Sequence, residues 1–494
     1  MRRETENFGT HMLKTLGLLV LLALTACSTS LDQDGFGFEN DALLISEERE
    51  RALGAQEHPK IIAAFGGAYQ NARLQSGLEN IVARLKRVSP RPDIDYSVTI
   101  LNTPSVNAFA LPGGFLYVTR GLLALANDED EIAAVLAHEM GHVSSRHAVK
   151  RESQSSTAAV IGRAMKDLMR NAGGARTAML DSRERVAKFS RQQEFEADQI
   201  GLETAVQAGF DPFGAATFLT SMQRNNTYRN RLLIGGESRA HGGEFMATHP
   251  STPDRISQIL QLSRSFGFDQ GDRPRARDSY LELIDGMMYG NDPSEGFVRD
   301  RRFIHPDLRF EFEVAPGFTI QNTSDAVFAL GSNGSALRFD GVDVPESQSL
   351  TQYVTRSWAR GIDVQDILLD RIGSMPVVFG RATHGGWDYR LAAIRFEGKR
   401  TFRFLMAARE IDEKMARDFE ESVRSLRALS IEEAHDARPL RIRTVNVGAR
   451  DTAESIAARM AVKEGALEQF LLLNGFNSPR QLQPGQTVKI FVDN

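Results

Sequence analysis

The sequence predicts a multidomain chain: a mainly helical domain with a small β-sheet, then an α+β domain, then a small strand–helix–helix–strand unit. Three observations carry this reading. The 494 residues correspond to roughly three domains at about 150 residues each. Apolar residues recur at three- and four-residue spacing through the first part, and short β-rich runs replace them from Phe303 onward. The last stretch, Arg443 to Val492, then falls into strand, helix, helix and strand.

Composition narrows the function classes. The chain is 41% hydrophobic and 25% charged, with a formal net charge of -5. Lys and Arg are scattered without a polybasic run, so a nucleic-acid partner is not expected.

At the N-terminus, Arg2, Arg3 and Lys14 precede the apolar run Leu16 to Leu24. A positive stretch before a short apolar run is the form of a secretory signal. The run is shorter than the roughly 20 apolar residues needed to span a bilayer. Leu24-Thr25-Ala26-Cys27 resembles a bacterial lipobox. That resemblance implies a signal peptide over 1–27 and a diacylated Cys27, hence export to the periplasm of a Gram-negative envelope. Ser28 after the cysteine favours lipid anchoring in the outer membrane. The alternatives are a plain signal with an incidental cysteine, or a short buried helix; Met12 is a second candidate start. With no other cysteine, a disulfide framework is not expected.

Polar residues 28–44 read as a tether, and the first domain is expected over 45–295. Ser46 to Lys86 reads as helical, Tyr96 to Leu101 as a strand, and Val106 to Thr119 as a hairpin broken at Pro112-Gly113-Gly114. Asp128 to Arg151 is the clearest helix, opened by Asp128 with Glu131 three residues on. A second charged helix is expected from about Arg183 to Ala208, stopped by Gly209. Helical patterns resume at Phe213 to Met222 and Pro253 to Phe266. Residues 301–430 read as α+β, with helices near Ser349 to Gly361 and Glu413 to Leu426. There Val314-Ala315-Pro316-Gly317-Phe318 faintly resembles a PsbP-like sandwich.

The chemistry is concentrated in His138-Glu139-Met140-Gly141-His142. Histidines four apart on a helix share a face, so both rings can address one metal ion. Imidazole nitrogen and carboxylate oxygen are usual zinc donors. Glu139 stands about 100° around the helix from His138, where it can act as a general base without binding the metal. Two third ligands compete. His147 follows closely, but a third histidine in HExxHxxGxxH spacing would fall at Ala148, and a continuing helix points His147 away from His142; it reads as structural. Glu194, in Arg191-Gln-Gln-Glu194-Phe-Glu-Ala-Asp198, sits on a second helix with Asp198 on the same face. Asp198 can orient a ligand imidazole. Glu196 projects elsewhere and reads as solvated or capped by Arg. A plain charged face beside Arg191 is the competing reading of Glu194 and Asp198.

The HExxH helix, the later Glu-x-x-Ala-Asp helix and Asn107-Ala-Phe-Ala-Leu-Pro-Gly-Gly114 resemble the zinc endopeptidase family of the CAAX prenyl protease and HtpX, over about residues 45 to 265. The similarity is greatest to its periplasmic branch, which degrades stalled outer-membrane proteins. It implies a zincin-type (gluzincin) fold and one Zn2+ per subunit. His138, His142 and Glu194 would be ligands, Glu139 the base and Asp198 the orienting residue. Thr248-His249-Pro250 and Arg255-Ile256 also match. The resemblance implies His249 as a displaceable fourth ligand in a latent state, against an ordinary loop histidine, and Arg255 as a stabiliser of the tetrahedral oxyanion. His241 has no motif behind it. Asn107, Ala108 and Phe109 would open an edge strand to which an extended substrate adds. An ordinary core hairpin fits the same residues.

The tail over 440–494 resembles a LysM module, which implies N-acetylglucosamine-containing glycans such as peptidoglycan as a partner. Its usual Gly-Asp-Thr is here Gly448-Ala-Arg-Asp-Thr452, two residues longer beside the glycan groove. The function expected from all this is an envelope zinc endopeptidase acting on unfolded or stalled proteins, with the outer-membrane assembly machinery as a partner. The rival is a non-catalytic, peptidoglycan-binding scaffold lipoprotein whose zinc site is latent or structural.

Overall fold

The computed structural model describes residues 46–148, 190–233, 249, 253–270, 276–322, 326–331, 334–462 and 465–493. The expected signal peptide, Cys27, the tether, His241 and residues 183–189 of the expected second helix lie outside them.

Helix α1 (Glu47–Ala64) starts on Ser46, whose side chain accepts from Arg49 N, and carries three glutamates in its first turn, where the helix dipole favours them. The helical reading of Ser46 to Lys86 is corrected here: the chain leaves α1 through Gly66 and Gly67, both at positive φ, and restarts as α2 (Ala72–Val88). Asn71 caps α2, and its apolar stripe Leu74, Leu78, Ile81, Val82 and Leu85 is buried.

The expected strand and hairpin form a three-stranded sheet of β1 (Ser97–Leu101), β2 (Ala108–Leu111) and β3 (Phe115–Thr119). Its order is β1-β3-β2, with β1 parallel and β2 antiparallel to β3, so β2 is an edge. The turn needs its glycines: at Gly114 (φ 93°) a Cβ would lie 2.6 Å from Ile94 Cγ2 and 3.0 Å from Asp95 O.

Helix α3 (Arg120–Leu125) leads into α4 (Glu129–Ser144), which carries HExxH. Asp128 accepts from Glu131 N, and the Glu131 carboxylate accepts from Asn127 N, a reciprocal cap. α5 (Arg191–Gln207) begins with a full capping box from Ser190 and Gln193 and packs across α4. Two glycines allow that crossing. A Cβ on Gly201 would sit 2.8 Å from His138 N, and one on Gly141 would sit 3.0 Å from Ala197 O. α6 (Phe213–Leu233) runs well past Met222, where the pattern predicted its end; α7 (Pro253–Ser265) and α8 (Arg277–Ile284) follow. Among the described residues, no helix is long and apolar enough to cross a membrane.

β4 (Met288–Tyr289) and β5 (Phe297–Arg299) occupy the expected boundary, and each joins a different sheet. The middle domain holds β6 (Arg302–His305), β7 (Phe310–Glu313), β8 (Phe318–Asn322), β9 (Val327–Gly331) and β10 (Ala336–Asp343). β11 (Gln365–Ile372), β12 (Met375–His384), β13 (Trp387–Glu397), β14 (Arg400–Ala408), helix α9 (Glu413–Arg424) and β15 (Arg427–Ala428) complete it. Its sheets are ordered β11-β12-β13-β14-β10-β9-β8 and β15-β7-β6-β5. They enclose their own phenylalanine core, in which the Phe310 and Phe402 centroids are 4.4 Å apart. Near Ser349, the expected helix is a short turn at Leu350–Gln352 continued by Tyr353–Trp358.

After α10 (Ile431–Asp436) the tail runs β16 (Leu440–Asn446), α11 (Ala453–Ala457), α12 (Ala466–Leu473) and β17 (Thr487–Val492), the expected order. β4 adds a third strand to its sheet. Among the described residues, the tail's core is continuous with that of the first domain. Ile442, Phe470, Val488 and Ile490 belong to the same buried cluster as Leu123, Leu136 and Ile284. Fully buried Lys489 seals the junction, its Nζ donating to Ala124 O at 2.7 Å and Ala126 O at 2.5 Å, carbonyls at the end of α3. This is a basic group at a helix C-terminus, where the unpaired carbonyls need a donor.

Candidate metal centre

Caps at both N-termini fix the register of α4 and α5, and the glycine crossing brings their faces together. One nitrogen or oxygen each from His138, His142, Glu194 and His249 then lies within 4.8 Å of the others, all buried. His138 Nε2 is 3.1 Å from His142 Nε2 and 3.3 Å from His249 Nδ1. Glu194 Oε1 is 3.0 Å from His249 Nδ1 and 3.6 Å from His142 Nε2. Glu139 is buried beside them. Its Oε1 has no hydrogen-bond partner among the described residues, with His249 Nε2 3.6 Å away.

The surroundings fix the ligand side chains. Asp198 Oδ1 lies 2.9 Å from His138 Nδ1, which leaves Nε2 turned toward the cluster. Arg255 is also buried. Nε and Nη2 each donate to Asp198 at 2.7 Å, and Nη1 lies 2.8 Å from Glu194 Oε2. Arg255 thereby ties the carboxylate of Asp198 to that of Glu194.

His147 needs a correction as well. α4 ends at Ser144, Ser145 caps it, and Arg146 adopts φ 54°, so the chain folds back. His147 is fully buried, with Nδ1 2.8 Å from His142 Nδ1 and Nε2 3.3 Å from Glu196 Oε2. The sequence pointed His147 away from His142, whereas the structure sets it against that ring; Glu196 is exposed, as expected, with its carboxylate beside His147. No local signal marks the left-handed Arg146, which is held by buried Glu50 from α1, with Nε 2.5 Å from Oε1.

Electrostatics follow the packing. Burial pulls the His138 pKa down, but hydrogen bonds and charge from Asp198 and Glu194 raise it to about 10. Burial and the positive neighbours His138 and His249 push His142 well below the usual imidazole range. Burial would raise Glu194, yet His249 and His138 hold it far below the usual carboxylate range. Burial raises Glu139, only partly offset by His249 and His138. Without a metal, a protonated His138 offsets part of the carboxylate charge; once the imidazoles give up their protons to bind an ion, Glu139, Glu194 and Asp198 against the Arg255 guanidinium leave two negative charges in a buried site. Such a site demands compensation. One divalent cation supplies it, and a donor set of imidazole nitrogens and one carboxylate oxygen suits zinc. His138, His142, Glu194 and His249 would hold the ion.

Asn107, Ala108 and Phe109 stand at and just inside the edge strand. Asn107 N donates to Thr119 Oγ1 at 3.0 Å, and its buried side-chain amide has no partner among the described residues. Ala108 is buried, and Phe109 stacks on Tyr117 with centroids 4.8 Å apart. The side chains of Ala108 and Phe109 are thus committed to the fold.

Comparison with known proteins agrees with this construction. Residues 68–263 match Peptidase family M48, and residues 445–491 match the LysM domain. The mitochondrial metalloendopeptidase OMA1 of Schizosaccharomyces pombe is 29% identical over 222 residues, 44% of this chain and 61% of that protein. The Escherichia coli K12 β-barrel assembly-enhancing protease is 28% identical over 167 residues, 32% of each chain. A putative protease of the same description from Vibrio cholerae is 26% identical over 202 residues, 39% of this chain and 40% of its own. The chain thus spans less than two thirds of the length of each of these relatives. A solved cyanobacterial PsbP aligns with 26% of the chain at 10% identity, but its TM-score of 0.21 assigns no fold to the middle domain.

Proposed function

We propose that this chain, which carries a peptidase family M48 domain and a LysM domain, is a zinc-dependent endopeptidase of the bacterial envelope, lipid-anchored through Cys27 and acting on unfolded or stalled envelope proteins. The observation that carries the reading is the convergence of His138, His142 and Glu194 beside buried Glu139, whose Oε1 has no hydrogen-bond partner among the described residues. Zinc bound there supplies Lewis acidity to the scissile carbonyl and to the attacking water.

The residues supply the rest. Glu139 takes a proton as the water oxygen bonds to the carbonyl carbon, and returns it to the amine as the C–N bond breaks. Asp198 fixes the His138 ring, and Arg255 ties Asp198 to Glu194. An extended polypeptide pairs with the main chain of β2, which gives affinity with little side-chain selectivity. The basic and apolar start of the sequence supports export, and the relatives' description supports a place near outer-membrane β-barrel assembly. The LysM domain supports peptidoglycan as a partner.

His249 supports a latent state. Four protein donors close a site, whereas a catalytic zinc keeps one position for water. The same closure favours the second reading, a structural zinc in a scaffold lipoprotein. Zinc analysis and casein degradation by wild type, Glu139→Gln and His249→Ala separate them. The peptidase reading expects zinc in all three, no activity in Glu139→Gln and increased activity in His249→Ala. Full activity in Glu139→Gln refutes the base. Bound zinc with no activity in either wild type or His249→Ala favours the scaffold.

A further inference from the structure

The two HExxH histidines are held unequally. His138 Nδ1 meets a carboxylate directly, at Asp198. His142 Nδ1 meets another imidazole, His147 Nδ1, at 2.8 Å, and His147 Nε2 in turn meets Glu196 Oε2 at 3.3 Å. The proton positions follow from the ends of this chain. His142 Nε2 faces His138 and Glu194, so a ligand His142 carries its hydrogen on Nδ1. The facing His147 nitrogen must then accept, which places the His147 hydrogen on Nε2, directed at the Glu196 carboxylate. Both ligand rings thus end on a carboxylate, one directly and one through an intervening imidazole.

We propose that His147 and Glu196 are positioning residues that set the tautomer and orientation of His142 as a metal ligand, and that the Arg146–Glu50 contact holds them in place. On a continuing helix, His147 would stand about 140° around from His142 and could not reach it. The left-handed Arg146 closes that gap. Arginine seldom adopts this conformation without an anchor, and the guanidinium is anchored on Glu50, a buried carboxylate of α1. α1, α4 and α5 each contribute one link: Glu50, the turn after Ser144, and Glu196.

The inference rests on His142 being a metal ligand, as in the proposed function. The test is zinc affinity of the full chain, measured by competition with a chromophoric chelator, alongside thermal unfolding of the zinc-free protein. Orienting partners of this kind are worth 10–100-fold in metal affinity. His147→Phe keeps a ring and removes the acceptor, so roughly 10–100-fold weaker binding is expected. His147→Gln offers a carbonyl oxygen to His142 Nδ1–H and should recover part of that loss. Glu196→Ala, at a half-exposed position, should weaken zinc binding with little change in zinc-free unfolding. A purely structural role predicts the reverse: lower unfolding temperatures with unchanged affinity. Wild-type affinity within twofold in His147→Phe and Glu196→Ala overturns the proposal. If His147→Phe does not fold, Glu196→Ala decides alone. Undiminished zinc binding in His142→Ala would instead sink the ligand assignment, and this proposal with it.

Discussion

At the scale of single residues, the centre is a set of charges that tolerate little trimming. Arg255 joins two carboxylates inside the protein, and removing one partner of such a group leaves the others buried without compensation. Arg255→Ala should therefore cost about 3–5 kcal/mol in chemical denaturation of the zinc-free protein. Asp198→Asn keeps the shape but not the charge, and should weaken zinc binding roughly 10–100-fold by chelator competition. Glu139 is the proposed general base, and its surroundings bear on its proton. Burial raises its pKa above the ordinary glutamate value, and only the ionised form accepts a proton. In the zinc-free protein Glu139 should therefore take up its proton at a higher pH than an exposed glutamate, as followed by NMR titration, and bound zinc should shift that protonation to lower pH. Residue spacing made His138, Glu139 and His142 legible, because four residues return a helix to the same face. Glu194 and Asp198 were legible for the same reason on the second helix. His147 was not: its place depends on one backbone angle at Arg146, fixed by a carboxylate 96 residues away.

At the scale of elements, the site depends on how closely α4 and α5 approach. Gly201→Ala adds a methyl group 2.8 Å from the His138 amide nitrogen, and backbone on backbone cannot yield cheaply. Alanine favours a helix by up to about 1 kcal/mol over glycine, but overpacking costs typically 1–3 kcal/mol. The clash should win, with lower stability in urea and reduced zinc content. An unchanged unfolding midpoint would show that the helices can separate without cost. The helix starts were readable because Asp128 announces itself as an N-cap. The break between α1 and α2 was less readable, since apolar spacing continues on both sides of Gly66 and Gly67. The full length of α6 was hidden for the opposite reason: its polar second half, from Gln223 to Arg231, shows no stripe, and contacts such as Arg224 with Phe476 O support it.

At the scale of the whole molecule, the three units seen in the sequence share two large buried clusters among the described residues, with four smaller ones beside them. The phenylalanine core of the middle domain stands apart, whereas the LysM strands and helices share the interior of the peptidase part. No local pattern reveals this, because Leu440 or Phe470 looks the same whether it packs within a module or against a neighbour. Calorimetry should accordingly show two transitions, not three. A chain ending at residue 436 should lose the structure of the HExxH domain by circular dichroism. Lys489→Met leaves the end of α3 without its donor and should cost about 1–3 kcal/mol. Ala126, whose carbonyl Lys489 grips, is followed in the chain by Asn127 and then by Asp128, the cap of α4. A lysine from the last strand is therefore fastened just ahead of the helix that bears His138 and His142. Clipping the tail would act as a fuse, disabling hydrolysis from a distance while every active-site side chain remained in the polypeptide.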